Sequence, residues 1–173
     1  MSEKSNTINE PSGKEFEISR EFNAPREVVF NLLTKAEHLK HWWGPKELKM
    51  GTTKVDLRPG GMFHYSMIAP DGTEMWGRFI YHEIIPPEKI VFVNSFSDER
   101  GGITRHPMAP KWPAEVMNIL TLTEHNGKTT LTLRGGPINA TAEERKIFED
   151  GFSSMQHGFT GTFDQLDEYL SNL

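Results

Sequence analysis

The chain has 173 residues, a formal net charge of -5 from 24 acidic and 19 basic side chains, and no cysteine. Its size suits one domain, or one domain with a tail, and 36% apolar against 25% charged residues suits a soluble globular fold. Mild acidity without a basic run argues against nucleic acid as the main partner, and zero cysteines exclude disulfides, a thiolate zinc site and a cysteine nucleophile.

Residues 1–13 are rich in Ser, Asn, Glu, Pro and Gly and read as a disordered tail. They lack the apolar core of a signal peptide, and no stretch nears the roughly 18 apolar residues that span a bilayer. No membrane insertion is expected, and the cytoplasm is the expected location. Residues 14–173 read as a single domain.

Phe16, Ile18 and Phe22 alternate with polar residues and give a first strand. Arg20 shares their inward parity, which calls for a carboxylate or helix-end partner at the strand's edge, or an anionic ligand. Asn23-Ala24-Pro25 starts a helix with Val29, Leu32 and Leu33 on its apolar face. A second short helix runs from Lys35 to about Trp43 and stops at Gly44-Pro45.

Strands follow. Glu47 to Leu57 is one, with a parity shift that places a bulge near Gly51. Pro59-Gly60-Gly61 turns into a strand over Met62–Ile68. Pro70-Asp71-Gly72 is a hairpin turn leading to Thr73–Ile85. Pro86-Pro87 ends that strand, and Lys89–Phe96 is the next. Ser97 to Pro113 is a long loop, and Glu115–Glu124 pairs with Lys128–Arg134 across Asn126-Gly127. Consecutive strands with short turns imply an antiparallel meander.

Phe148, Phe152, Met155, Phe159, Phe163, Leu166 and Leu170 recur at spacings of three and four. That is the stripe of one long helix from Thr141, whose N-cap and Glu144 form a capping box. Gly151, Gly158 and Gly161 lie inside it and imply a close approach by a sheet or a ligand.

The order strand, two helices, six strands, long helix resembles the helix-grip fold of the SRPBCC (START-like) superfamily. Within it, the chain is most similar to homologues of the activator of the heat-shock protein ninety ATPase. The resemblance covers about residues 14–172. It rests on Arg20-Glu21-Phe22-Asn23-Ala24-Pro25, His41-Trp42-Trp43-Gly44-Pro45, Asp56-Leu57-Arg58-Pro59-Gly60-Gly61, Pro70-Asp71-Gly72 and Tyr81 to Glu88, with the final helix. It implies an α+β fold in which a curved antiparallel sheet of about seven strands wraps the long C-terminal helix, with two short helices after the first strand. Members of the superfamily bind apolar molecules, and some are cyclases or hydrolases. The eukaryotic activators carry an additional N-terminal domain where this chain has a short polar tail.

Trp42 and Trp43, beside the helix stop, are candidates to gate or stack on a ligand, or to pack with one in the core and one at the surface. Phe63, Tyr65 and Met67 share one strand parity. Trp76 and Arg78, on the next strand with Ile80 and His82, are polar-tipped candidates for lining a cavity, and Arg78 equally suits a solvent-facing position. Met117 on the penultimate strand and Met155 and Phe159 on the helix complete the ligand-binding candidates. Asn118 keeps company with Val116, Leu120 and Leu122 and needs a partner or a ligand. His38 and His41 share a helix face but lack further metal ligands in pattern. His157 is the weak candidate for proton transfer, with no visible partner.

No P-loop, dinucleotide fingerprint or nucleophile motif is present, so no cofactor is expected. The leading reading is a binding domain for an apolar small molecule. A chaperone-accessory protein acting through its surface, in the stress response, is the alternative, and a cyclase- or hydrolase-type enzyme using Tyr65, Arg78 and His157 is the next. The pocket mouth is expected between Trp42-Trp43 and the loop Ser97–Pro113. Because residues 1–13 carry too little apolar surface to offset ordering entropy, a chain starting at Lys14 should melt within a few degrees of the full length in a thermal scan. A large drop would show that the tail packs on the fold.

Overall fold

A computed structural model describes residues 14–173, so the tail expected over 1–13 lies outside the described residues. The element order is β1 (Phe16–Phe22), α1 (Arg26–Thr34), α2 (Ala36–Trp42), β2 (Lys49–Val55), β3 (Met62–Ile68), β4 (Glu74–Ile85), β5 (Lys89–Ser97), β6 (Val116–His125), β7 (Lys128–Pro137), α3 (Ala142–Asp150) and α4 (Phe152–Ser171). Seven strands form one antiparallel sheet in the order β1-β7-β6-β5-β4-β3-β2. Six consecutive strands are a meander, and β1 closes the row by pairing with β7. The fold is α+β, of the helix-grip type, with the C-terminal helix packed on one face of the sheet.

Local chemistry explains the joints. Asn126 and Gly127 both take positive φ, as a two-residue hairpin requires, and His125 pairs with Lys128. The expected bulge falls where the β2–β3 register shifts, between Met50 and Thr53. A Cβ at Gly51 would stand 2.5 Å from Ser66 Oγ, and that oxygen accepts from the freed Thr52 N–H at 2.9 Å. The bulge thus needs both a glycine and a hydroxyl opposite.

Pairing decides which side of the sheet each residue faces. Tyr65 stands opposite Gly77, Phe79 opposite Asn94, and Phe92 opposite Asn118. These residues belong to the inner face, toward the helices. The core gathers Phe22, Val29, Leu32, Leu39, Trp42, Phe63, Leu131, Phe148, Phe163 and Leu166, each almost fully buried. A smaller apolar group, Val91, Val93, Met117 and Ile138, is buried on the opposite side of the same strands. Arg20 meets the partner its position calls for: Nη2 donates to Asp164 Oδ1 at 2.7 Å, tying β1 to α4.

The single long helix expected from the stripe is two helices. The chain breaks at Gly151, with φ −93° and ψ 6°. The hydrogen-bond ladder resumes on both sides, since Gly151 N donates to Ile147 O and Met155 N donates to Gly151 O. Trp112 explains the glycine: its ring would lie 3.1 Å from a Cβ at Gly151. So one helix glycine meets the close approach expected of it. Gly158 and Gly161 do not: a Cβ at either meets nothing within 4 Å.

The capping box is formed. Thr141 Oγ1 accepts from Glu144 N at 3.0 Å, and Glu144 Oε1 accepts from Thr141 N at 3.1 Å. Arg105 adds an ion pair at 2.9 Å to the other carboxylate oxygen. The Thr141 N–H, and then Arg105, hold the Glu144 carboxyl below its ordinary value of 4.5. Thr141→Ala should cost about 1 kcal/mol in chemical denaturation. A depressed carboxylate stabilises the fold above its unfolded pKa and loses that contribution as the pH falls through the folded one. The stability gap between the wild type and Glu144→Gln should therefore be full above pH 4.5 and shrink on acidification below it. A gap that holds or widens in acid would contradict this assignment.

Candidate functional site

The site is built from what α4 leaves unfilled. Its closest neighbours are β1 on one side and α2 on the other. Phe159 stacks on Phe16 at 5.7 Å, and Phe163 meets Phe22 edge-on at 6.1 Å. At the α2 side, Gln165 Nε2 donates to the carbonyls of Trp42 and Gly44. The helix is pinned along two lines, and over the middle strands the space beneath it is incompletely filled.

Two chambers lie there. The smaller, about 80 Å³, is walled by Trp42, Trp43, Phe79, Phe92, Leu133 and Phe163. The larger, about 180 Å³, is walled by Phe16, Phe96, Trp112, Val116, Phe148 and Met155. Asn94, Asn118 and Phe159 border both, so the chambers adjoin across these three residues. Among the described residues, no Lys, Arg, His, Asp or Glu lines either one. For scale, an engineered apolar void of about 150 Å³ in another protein admits benzene.

Aromatic packing closes the smaller chamber. Trp43 meets Phe63, Tyr65 and Phe79 edge-on, with centroids at 6.2, 5.9 and 5.4 Å. Its Nε1 is buried and makes no hydrogen bond of regular geometry. Trp42 is deeper and satisfied, donating from Nε1 to Leu32 O at 2.9 Å. Burial pushes the Tyr65 phenol up to about 12, with Trp43 offsetting only part of the effect. Tyr81 on the chamber wall is also raised by burial. Both phenols stay protonated at physiological pH.

Trp112 closes the larger chamber and Met155 flanks it. Both also line a surface depression of about 430 Å³ over Ile147 and Gly151. Trp112 is tilted against Phe148 at 5.4 Å, and Arg105 holds its carbonyl, donating from Nη1 at 3.0 Å. The same Nη1 reaches Glu144, so the loop before β6 is fastened to the start of α3. A second depression, beside Trp42, Trp43, His41 and Gln165, borders the smaller chamber from outside. The loop and the Trp pair, expected to share one mouth, thus stand at different chambers.

The structure brings together Trp42, Trp43, Phe63, Tyr65, Met67, Met155 and Phe159 around or behind the chambers. It separates three candidates from them. Trp76 pairs with Ser66, Arg78 with His64, and Met117 with Val93, all on the outer face. The physical reason is that Tyr65 pairs with Gly77, so the inner parity of β4 is Gly77, Phe79, Tyr81, one residue out of step with Trp76 and Arg78. Trp76 instead stacks on His64 at 4.9 Å, and Arg78 donates to Gly101 O at 2.8 Å. Arg78 Nε and the nearby Ser95 and Ser97 hydroxyls are buried without partners. Met117 joins the outer apolar group. His157 is exposed on α4 and lines neither chamber. His38 Nδ1 lies 2.8 Å from Tyr169 Oη and His41 stacks on the same ring, which occupies the face the two histidines share.

Most wall residues were not among the sequence candidates, and two of them, Trp112 and Asn94, matter most to the site. Trp112 lies in an aperiodic loop, and its only trace was the glycine it demands at 151. Asn94 sits between Phe92 and Phe96 on the inner face, and the rule that drew attention to Asn118 applies to it equally.

A family model described as activator of Hsp90 ATPase homolog 1-like protein matches residues 23–171. Among solved structures, protein Ms6760 from Mycobacterium smegmatis is 28% identical, over 90% of each chain, with a TM-score of 0.73. Protein NE0264 from Nitrosomonas europaea is 26% identical, over 91% of this chain and 94% of its own, with a TM-score of 0.70. The AHSA1 protein from Silicibacter pomeroyi, 18% identical over 91% of this chain and 98% of its own, shares the fold at a TM-score of 0.70. No curated protein gives a match.

The aromatic wall depends on Gly77. A Cβ there would stand 2.5 Å from Tyr65 Oη and 2.6 Å from its ring. Gly77→Ala should push Tyr65 toward Trp43, cost about 1–3 kcal/mol in urea denaturation, and alter tryptophan fluorescence. An unchanged midpoint and spectrum would mean that Tyr65 has free room to move.

Proposed function

The chain belongs to the activator of Hsp90 ATPase homolog 1-like family, and we propose that it binds a hydrophobic small molecule in the two chambers beneath α4. The observation that carries this is the walls' composition. They are aromatic and aliphatic, hold two asparagines in common and, among the described residues, carry no charged side chain. A space of that kind is favourable for apolar surface leaving water. Entry runs through the depression outside Trp112 and Met155, where a half-buried indole on a loop and an unbranched thioether are the parts that move.

A catalytic role finds less support. Tyr65, Arg78 and His157 do not converge, since Arg78 is on the outer face and His157 is exposed. A chaperone-accessory role is favoured by the family's description alone. Stimulation of an Hsp90 ATPase several-fold above background would promote it over small-molecule binding.

Met155→Trp tests the proposal directly. Met155 is only half-buried, so a larger ring can be accepted at modest cost while it obstructs the larger chamber. Uptake of the apolar dye Nile red should fall at least tenfold with the melting temperature nearly unchanged. Gly158→Trp is the control: its new ring meets open space and should leave uptake as in the wild type. Equal uptake in wild type and Met155→Trp would place the dye elsewhere and sink the chamber as its site.

A further inference from the structure

We propose that the ligand is electrically neutral and carries, near its middle, one group that both donates and accepts a hydrogen bond, such as an alcohol or a carboxamide, read by Asn94 and Asn118. The inference rests on the chamber-binding reading and adds the chemistry of the molecule bound.

Asn118 is buried, 8% exposed, on a face it shares with Val116, Leu120 and Leu122. Its Nδ2 donates twice, to Val116 O at 3.2 Å and to Asn94 Oδ1 at 3.3 Å. Both amide protons are used, and the backbone carbonyl fixes which end of the Asn118 amide is nitrogen. Two polar atoms remain, Asn118 Oδ1 and Asn94 Nδ2. Neither has a hydrogen-bond partner among the described residues. One accepts and one donates, side by side on neighbouring strands.

Their surroundings keep them available. Gly135 stands opposite Asn118 in the β6–β7 pairing. A Cβ there would lie 2.7 Å from Asn118 Oδ1 and would also strike the Met117 carbonyl. Glycine leaves that oxygen its space and itself borders the larger chamber. Both asparagines line both chambers, so the polar pair sits at their junction, with apolar walls on either side. In an apolar enclosure such a pair is costly unless something completes it. Water can do so in the empty protein, and a ligand must then reproduce those bonds to displace it.

This arrangement selects against ions. Among the described residues no cationic or anionic side chain lines either chamber, so a carboxylate or an amine would be desolvated without a counter-charge. It also disfavours a molecule that is apolar throughout, which would leave the amide pair unmet. A neutral centre with an apolar arm on each side satisfies both.

The test needs a matched set of small probes and calorimetric titration of the whole protein. Phenyl propyl carbinol carries a hydroxyl between an aromatic and an aliphatic arm. Butylbenzene lacks the hydroxyl, and α-propylphenylacetate replaces it with a carboxylate. In water the hydroxyl must be stripped of its hydration, so a purely apolar cavity should take the carbinol about tenfold or more weaker than butylbenzene. With the amide pair in place, the carbinol should bind at least as tightly as butylbenzene, and the carboxylate at least tenfold more weakly than both. In Asn118→Leu, and separately in Asn94→Leu, the carbinol should drop about tenfold relative to butylbenzene. A wild-type protein that prefers butylbenzene to the carbinol overturns this inference and leaves the chamber reading standing. Tightest binding of the carboxylate also overturns it. If neither butylbenzene nor the carbinol binds, the chamber reading falls and the inference falls with it.

Discussion

The position of α4 over the sheet governs the rest of the molecule. It is set by contacts at two margins: Phe16 and Phe22 of β1 receive Phe159 and Phe163, and Gln165 grips the carbonyls at the end of α2. Arg20 adds a charged tie to Asp164 at the β1 side. The rings at these margins act as spacers. A helix held at that distance does not settle onto the middle strands, where the facing side chains must fill the gap by themselves. Phe79, Phe92, Leu120 and Leu133 fill much of it, and the chambers are the remainder. Voids of this kind are normally destabilising. Here they follow from the same aromatic contacts that supply much of the core.

One chain of polar contacts joins the larger chamber's wall to the helix behind it. Thr141 and Glu144 cap α3, Glu144 pairs with Arg105, and Arg105 holds the carbonyl of Trp112. The Trp112 ring then lies against Gly151, where α3 gives way to α4. The cap has two tasks, since it satisfies the first turn of α3 and orients the loop that shuts the chamber. Movement of Trp112 away from Gly151 therefore bears on the joint between the two helices.

Much of this was readable from sequence wherever one residue type has one physical use. Asn126-Gly127 specifies a hairpin because few other pairs accept positive φ twice. The parity break at Gly51 specifies a bulge, and Thr141 with Glu144 specifies a helix start. The stripe from Phe148 to Leu170 gave the buried face correctly but not the break at Gly151, because periodicity continues in phase across the joint. Face assignment was harder. Alternation divides β4 into Trp76, Arg78, Ile80 and Gly77, Phe79, Tyr81; the second set holds more aromatics and no charge, but Trp76 with its polar tip draws the reading to the first. Only the register, Tyr65 opposite Gly77, turns the second set inward. A glycine among aromatics was the available clue, since a strand spends a glycine where a ring must lie across it. Asn118 was legible as a polar residue on an apolar face, but the partnership with Asn94 depends on the β5–β6 pairing.

The two chambers also bear on the protein's volume. Unfolding removes internal voids, so a fold that encloses them occupies more space than its unfolded chain in water, and compression shifts the balance toward unfolding. With about 80 and 180 Å³ left open beneath one helix, the empty protein is a compressible object for its size. A molecule lodged in both chambers, as proposed, would remove that weakness as well as add its binding energy. If the proposed binding holds, resistance to hydrostatic pressure would be a property that the occupant confers, and it would read out how completely the space is filled.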